Sequence, residues 1–101
     1  MSVVVVRYKT KPDRAEENQA FIEKVFAELD ASNPEGLRYM TLRLGDGVSF
    51  VHIAAVEADN PLASLPAFGE FQREIAGRCD EPPLVMEATV VGSYGFLPMD
   101  R

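Results

Sequence analysis

The chain carries a single histidine, His52. Imidazole is the one side chain whose ordinary pKa, about 6.5, lets it take up a proton near neutrality. Arg7 and Arg43 are cations that could hold a carboxylate, enolate or phenolate and stabilise charge developing on oxygen. Tyr39 and Tyr94 could orient a ligand oxygen. Taken together, His52 as base, Arg7 and Arg43 as anchors and Tyr39 as orienting group could deprotonate a small acidic molecule. Each also has a structural reading. His52 could pack or hydrogen-bond at a dimer interface, the arginines could pair with Glu87 or with a second subunit, and the tyrosines could simply pack. Cys79, near the expected C-terminus of a helix, sits where the dipole disfavours a thiolate, and is read as structural. One histidine, one cysteine and scattered carboxylates give no metal-ligand spacing. There is no phosphate loop, nucleophile elbow or dinucleotide fingerprint.

These side chains need elements to position them. Residues 3–11 read as a first strand, opening with four valines and continuing in alternation through Arg7, Tyr8, Lys9 and Thr10. Pro12 and Asp13 are expected to start a helix, with Asp13 and Glu16 at capping-box spacing. Phe21, Ile22, Val25, Phe26 and Leu29 form its apolar stripe, and Ser32-Asn33-Pro34-Glu35-Gly36 ends it. Residues 37–44 and 48–57 are the second and third strands. Asp46-Gly47 between them predicts a two-residue type I′ turn. That turn places Leu42 opposite Val51, Met40 opposite Ile53 and Thr41 opposite His52. Tyr39, Thr41, Arg43, Phe50, His52, Ala54 and Val56 then share one face, and Met40, Leu42, Leu44, Val51 and Ile53 the other. A slip of one residue would mix the two sets. Asn60-Pro61 reads as a helix cap with proline at the first position, and a break is expected near Pro66. The main second helix then carries Leu65, Phe68, Phe71, Ile75 and Cys79, and ends at Asp80-Glu81-Pro82-Pro83. Residues 84–96 form a long last strand, with a bend or bulge near Gly92.

The order strand-helix-strand-strand-helix-strand predicts a ferredoxin-like α+β fold. It is a four-stranded antiparallel sheet covered on one face by two helices, in a single domain spanning residues 1–101. The second sheet face, expected to hold Val3, Val5, Phe50, Ala54, Val56 and Val91, is too apolar to stay wet. A copy of the same chain is the expected cover, giving a homodimer. The net charge of −6 argues against a nucleic-acid partner, which would demand clustered Lys and Arg. The four-residue run of valines is too short for a signal core or a membrane span. With a single cysteine no disulfide forms within the chain, in keeping with a cytoplasmic location.

The chain resembles the dimeric α+β barrel superfamily and, within it, the antibiotic-biosynthesis-monooxygenase-like domains. The resemblance is carried by the opening Val-Val-Val-Val-Arg-Tyr-Lys-Thr-Lys-Pro and by residues 50–57. Leu65-Pro66-Ala67-Phe68-Gly69-Glu70-Phe71 and Val91-Gly92-Ser93-Tyr94-Gly95-Phe96 complete it. It implies a homodimer with facing sheets and a small-molecule pocket between sheet and helices or at the barrel mouth. It further implies activities such as cofactor-independent oxygenation, haem degradation or isomerisation. Haem-degrading relatives use an Asn, a Trp and a His where this chain aligns Val5, Val56 and Leu62, and the chain has no Trp. Many relatives carry a Glu and a His where Ala54 and Ala67 align here. The expected function is thus a cofactor-free, monooxygenase-like enzyme acting on a small aromatic or enolisable anion. The alternative is a non-catalytic dimeric domain that binds a small molecule or serves as a structural partner.

Overall fold

The computed structural model of the protein describes residues 2–57 and 60–95. The four strands are β1 (Ser2–Thr10), β2 (Leu37–Arg43), β3 (Ser49–Val56) and β4 (Cys79–Ala88). The helices are α1 (Ala15–Ser32), α2 (Pro66–Gln72) and α3 (Ile75–Arg78), with 3-10 turns at Pro12–Arg14 and Pro61–Ser64. The sheet is antiparallel throughout, in the order β2-β3-β1-β4. This is the expected ferredoxin-like α+β arrangement.

The β2–β3 register is the expected one, with Met40 opposite Ile53, Thr41 opposite His52 and Leu42 opposite Val51. The turn itself is not type I′, which needs positive φ at both central residues. Only Gly47 has it, at +80°. The Gly47 N–H donates to the Leu44 carbonyl at 2.9 Å. Asp46 instead uses its carboxylate, which accepts from the Val48 and Ser49 amides and from the Ser49 hydroxyl at 3.0, 2.8 and 2.6 Å. Such Asx-type bonding stabilises a tight turn without left-handed strain at the aspartate.

The face assignment is reversed from expectation for β2 and β3, whose Phe50, His52, Ala54 and Val56 lie under the helices, while Val3 and Val5 of β1 lie on the uncovered face as expected. β1 aligns Val6 with His52 and Tyr8 with Phe50, so the even residues of β1 share the His52 face. The helices cover this face. The core consists of Tyr8, Phe50, Ile22, Val25, Leu62, Phe71 and their neighbours. Arg7, with Val3 and Val5, lies on the opposite face. Val5 pairs with Ile53 and Met86, and Ile53 pairs with Met40, giving a row of four apolar side chains across the sheet. The next row is Leu42, Val51, Arg7 and Leu84. No element among the described residues covers these rows, and Leu42, Leu84 and Met86 are exposed.

Three boundaries differ from the sequence reading. The capping box at Asp13 does not form; Pro12–Arg14 is a separate 3-10 turn and α1 begins at Ala15 without a side-chain cap. The second helix breaks where Glu74 adopts φ +59°, so Cys79 opens β4 instead of closing a helix. Pro82 and Pro83 therefore lie within β4, beside a register shift in its pairing with β1. They are tolerated because β4 is an edge strand that needs fewer amide donors. Finally, β4 stops at Ala88, which pairs with Val3. β1 starts one residue earlier, at Ser2, so among the described residues the segment beyond Ala88 has no further strand to pair with. The expected strand end at Phe96 lies outside the described residues.

Candidate functional site

The helix-covered sheet face forms a partly open cavity of about 440 Å³ beneath α2 and α3. That volume suits a small organic ligand. Val4, Val6 and Ala54 floor it, and Phe68, Phe71 and Ile75 roof it. The polar side chains in its wall are Tyr8, Tyr39, His52, Asn60 and Gln72; among the described lining residues none is an arginine, lysine, aspartate or glutamate.

Each polar group is positioned by an identifiable feature of the chain. Alternation on β3 turns His52 inward with Phe50, and Tyr39 on β2 sits one pair away from it on the same face. Alternation on β1 places Tyr8 on the same face, beside Phe50 and His52. Asn60 accepts from the Leu62 amide at 3.0 Å, capping the turn before α2 as its sequence predicts.

His52 is 5% exposed. Its Nε2 lies 2.8 Å from the Tyr8 hydroxyl, and its Nδ1 lies 2.6 Å from the Tyr39 hydroxyl and 3.1 Å from that of Thr41. The ring also packs against Tyr8 and Phe71 at centroid distances of 5.4 and 5.2 Å. Burial opposes the charged imidazolium and pulls the His52 pKa down to about 4, so the ring is neutral at physiological pH. Burial likewise raises the Tyr8 and Tyr39 phenols, which remain protonated.

The network extends away from the cavity. Asn18 Nδ2 donates to the Tyr8 hydroxyl at 2.8 Å, and Arg78 Nε donates to Asn18 Oδ1 at 3.1 Å. Arg78 is 2% exposed. Its remaining nitrogens donate to the carbonyls of Phe71 and Arg73 at 2.6 and 3.1 Å, closing the C-terminus of α2. Its guanidinium lies over Phe21, 4.7 Å from the ring centroid. Among the described residues no carboxylate pairs with it.

Of the four site residues expected from the sequence, the fold brings His52 and Tyr39 together at the cavity. Arg7 lies on the far face of the sheet, exposed, and does not approach it. Arg43 shares the His52 face but not the cavity wall. It is engaged at the sheet edge by Glu16 at 3.1 Å, by Gln19 at 2.7 Å and by the Gly47 carbonyl at 2.9 Å. Tyr94 is 98% exposed. Tyr8, Asn18 and Arg78 were not singled out from the sequence. Asn18 left a signal: it precedes Ile22 by four positions and Val25 by seven, which puts a polar amide in line with the apolar stripe of α1.

No protein-family model matches the chain, and no curated protein matches it in sequence. Solved structures do match its fold. Rv0793 from Mycobacterium tuberculosis aligns with a TM-score of 0.72 and 18% identity, covering 91% of this chain and 96% of that one. A candidate antibiotic biosynthesis monooxygenase from Nitrosomonas europaea aligns with a TM-score of 0.74 and 18% identity, covering 91% and 100%. A mutant of SnoaB, a cofactor-independent oxygenase from Streptomyces nogalater, aligns with a TM-score of 0.65 and 18% identity, covering 96% of each chain. The resemblance drawn from the sequence therefore holds at the level of the fold: this chain has the fold of the antibiotic-biosynthesis-monooxygenase-like domains.

Proposed function

We propose that the protein is a cofactor-independent, monooxygenase-like enzyme acting on a small aromatic or enolisable molecule held in the His52 cavity. The observation that carries this reading is the cavity itself, about 440 Å³ and mostly apolar, with His52 and Tyr39 in its wall. A ligand enters neutral, since no charged side chain among the described lining residues would pair with an anion. His52 takes its proton, directly or through a bonded tyrosine hydroxyl. Burial resists a lone imidazolium, but the carbanion or enolate left behind is its counter-ion, and nearby opposite charges recover part of that cost. Tyr39 meets the ligand oxygen and stabilises the charge there. The anion is itself the reductant of oxygen. A methylene becomes a carbonyl, one oxygen atom ends in that carbonyl and the other leaves as water, so no external reductant is needed. With Arg7 and Arg43 away from the cavity, substrate anchoring falls to Tyr39 and the apolar walls.

The working form in this reading is a cytoplasmic homodimer. What supports the dimer is the uncovered apolar sheet face, together with the exposed Val90, Val91 and Tyr94 that follow β4. No helix among the described residues is long and apolar enough to cross a membrane.

A specific observation favours a second reading. Both ring nitrogens of His52 already have hydrogen-bond partners, as expected of a wall that binds without reacting. One experiment separates the two. The protein is titrated with a panel of phenols and enolisable aryl ketones, followed by amide NMR shifts and by oxygen uptake. Binding at the cavity with oxygen uptake that His52→Ala abolishes supports the enzyme. Binding without uptake supports the binding domain. Shifts confined to residues outside the cavity refute both.

A further inference from the structure

The buried chain Arg78–Asn18–Tyr8–His52–Tyr39 has a direction, and one residue fixes it. A guanidinium can only donate. Arg78 Nε therefore requires the carbonyl oxygen of the Asn18 amide, at 3.1 Å. This turns the Asn18 NH₂ group toward Tyr8, where it donates to the phenol oxygen at 2.8 Å. With that oxygen already accepting, the economical destination for the Tyr8 hydrogen is His52 Nε2, 2.8 Å away. A neutral imidazole with Nε2 accepting must carry its hydrogen on Nδ1. That hydrogen goes to the Tyr39 oxygen at 2.6 Å, with Thr41 beside it. The Tyr39 oxygen thus accepts from Nδ1, and its own hydrogen turns away from the imidazole. Tyr39 lines the cavity together with Tyr8 and His52, and of the three only its hydrogen is not directed to a neighbour within this chain of bonds.

We infer that Arg78 and Asn18 are positioning residues that set the hydrogen-bond polarity of the site, so that Tyr39 presents a donor to the cavity and selects ligands bearing an acceptor oxygen, such as an aryl ketone. The selection rests on the cavity being the ligand site proposed above; the polarity of the network does not. A buried donor without an acceptor is costly. A carbonyl oxygen removes that cost, whereas a hydrocarbon of the same shape leaves it in place. The arrangement also assigns Arg78 a purpose beyond closing α2, since a neutral residue there would let the Asn18 amide flip.

Asn18→Asp tests the inference with little change in shape. A carboxylate at position 18 accepts from Arg78 and from Tyr8 alike, so the Tyr8 hydrogen turns away from His52. Nε2 then carries the imidazole hydrogen, and Nδ1 accepts from Tyr39. The first readout is the pair of imidazole nitrogen shifts of His52, in protein labelled with nitrogen-15, at neutral pH. The expected result is a protonated Nδ1 in the wild type and a protonated Nε2 in the variant. A wild type with its hydrogen on Nε2 overturns the inference, even if the variant fails to fold. An unchanged tautomer in the variant overturns it as well. The second readout compares 1-tetralone with tetralin, which lacks only the carbonyl oxygen. The wild type should prefer the ketone by about fivefold to tenfold, the worth of one neutral hydrogen bond, and Asn18→Asp should lose that preference. Equal affinities in the wild type refute the donor role of Tyr39. Failure of both probes to bind counts against the ligand site instead, and the nitrogen shifts still decide the polarity.

Discussion

At the scale of single residues, His52 controls more than the cavity. Its pKa is pulled from about 6.5 down to about 4 by burial. Between these values the unfolded chain binds a proton that the folded chain does not, so stability falls as pH is lowered through that window. The loss starts near pH 6.5, is complete near pH 4, and amounts to at most about 3 kcal/mol. Asp46 acts in a different window. Hydrogen bonds from Ser49 and from the Val48 and Ser49 amides hold its carboxyl down near 2, so its contribution is lost only below about pH 4. Urea unfolding between pH 7 and pH 4 should therefore show a falling midpoint that His52→Gln flattens. A midpoint equally pH-dependent in that variant would assign the effect to other groups. His52 was legible in the sequence because it has no rival. Its partners were less so, since nothing in a list of residues says that Tyr8, Asn18 and Arg78 converge across separations of 44, 10 and 60 positions.

At the scale of elements, the break between α2 and α3 decides where the roof of the cavity lies. Periodicity through Leu65, Phe68, Phe71 and Ile75 reads as one helix, and the apolar spacing is indeed compatible with one. The break comes instead from Glu74, held at φ +59° in the left-handed region. A non-glycine residue pays roughly 1 kcal/mol there, and hydrogen bonds from Arg78 to the Phe71 and Arg73 carbonyls compensate the early helix end. Glu74→Gly should consequently raise stability by about 0.5 kcal/mol, the left-handed strain being partly offset by a more flexible unfolded chain. Thermal or urea unfolding at pH 7 measures it. A loss of stability would show that the glutamate side chain contributes more than its backbone costs. The capping-box motif at Asp13 failed for a related reason: Asp13 lies inside the 3-10 turn Pro12–Arg14, and Arg14 instead of Asp13 takes the N-cap position of a helix that starts at Ala15.

At the scale of the whole molecule, the sheet has two apolar faces and the chain has helices for one. Among the described residues nothing covers the row Met40, Ile53, Val5 and Met86. If a second copy covers it, Leu42→Lys and Met86→Lys should each convert the protein to monomers in sedimentation equilibrium. Both residues are already exposed in the single chain, at 40% and 59%, so the substitutions should leave the fold and the cavity intact. A wild type that sediments as a monomer at high micromolar concentration would sink the dimer. By itself the sequence determined the element order, the fold class and the β2–β3 register. These follow from local periodicity and from turn length, both properties of neighbouring residues. Only the tertiary structure decided which sheet face the helices cover. Four consecutive valines make β1 equally apolar on both sides, so alternation could not choose between them. That choice placed Tyr8 instead of Arg7 beside His52. It made the site an uncharged cavity within one chain, because the face that packs against α1 also receives Asn18 and the buried end of Arg78.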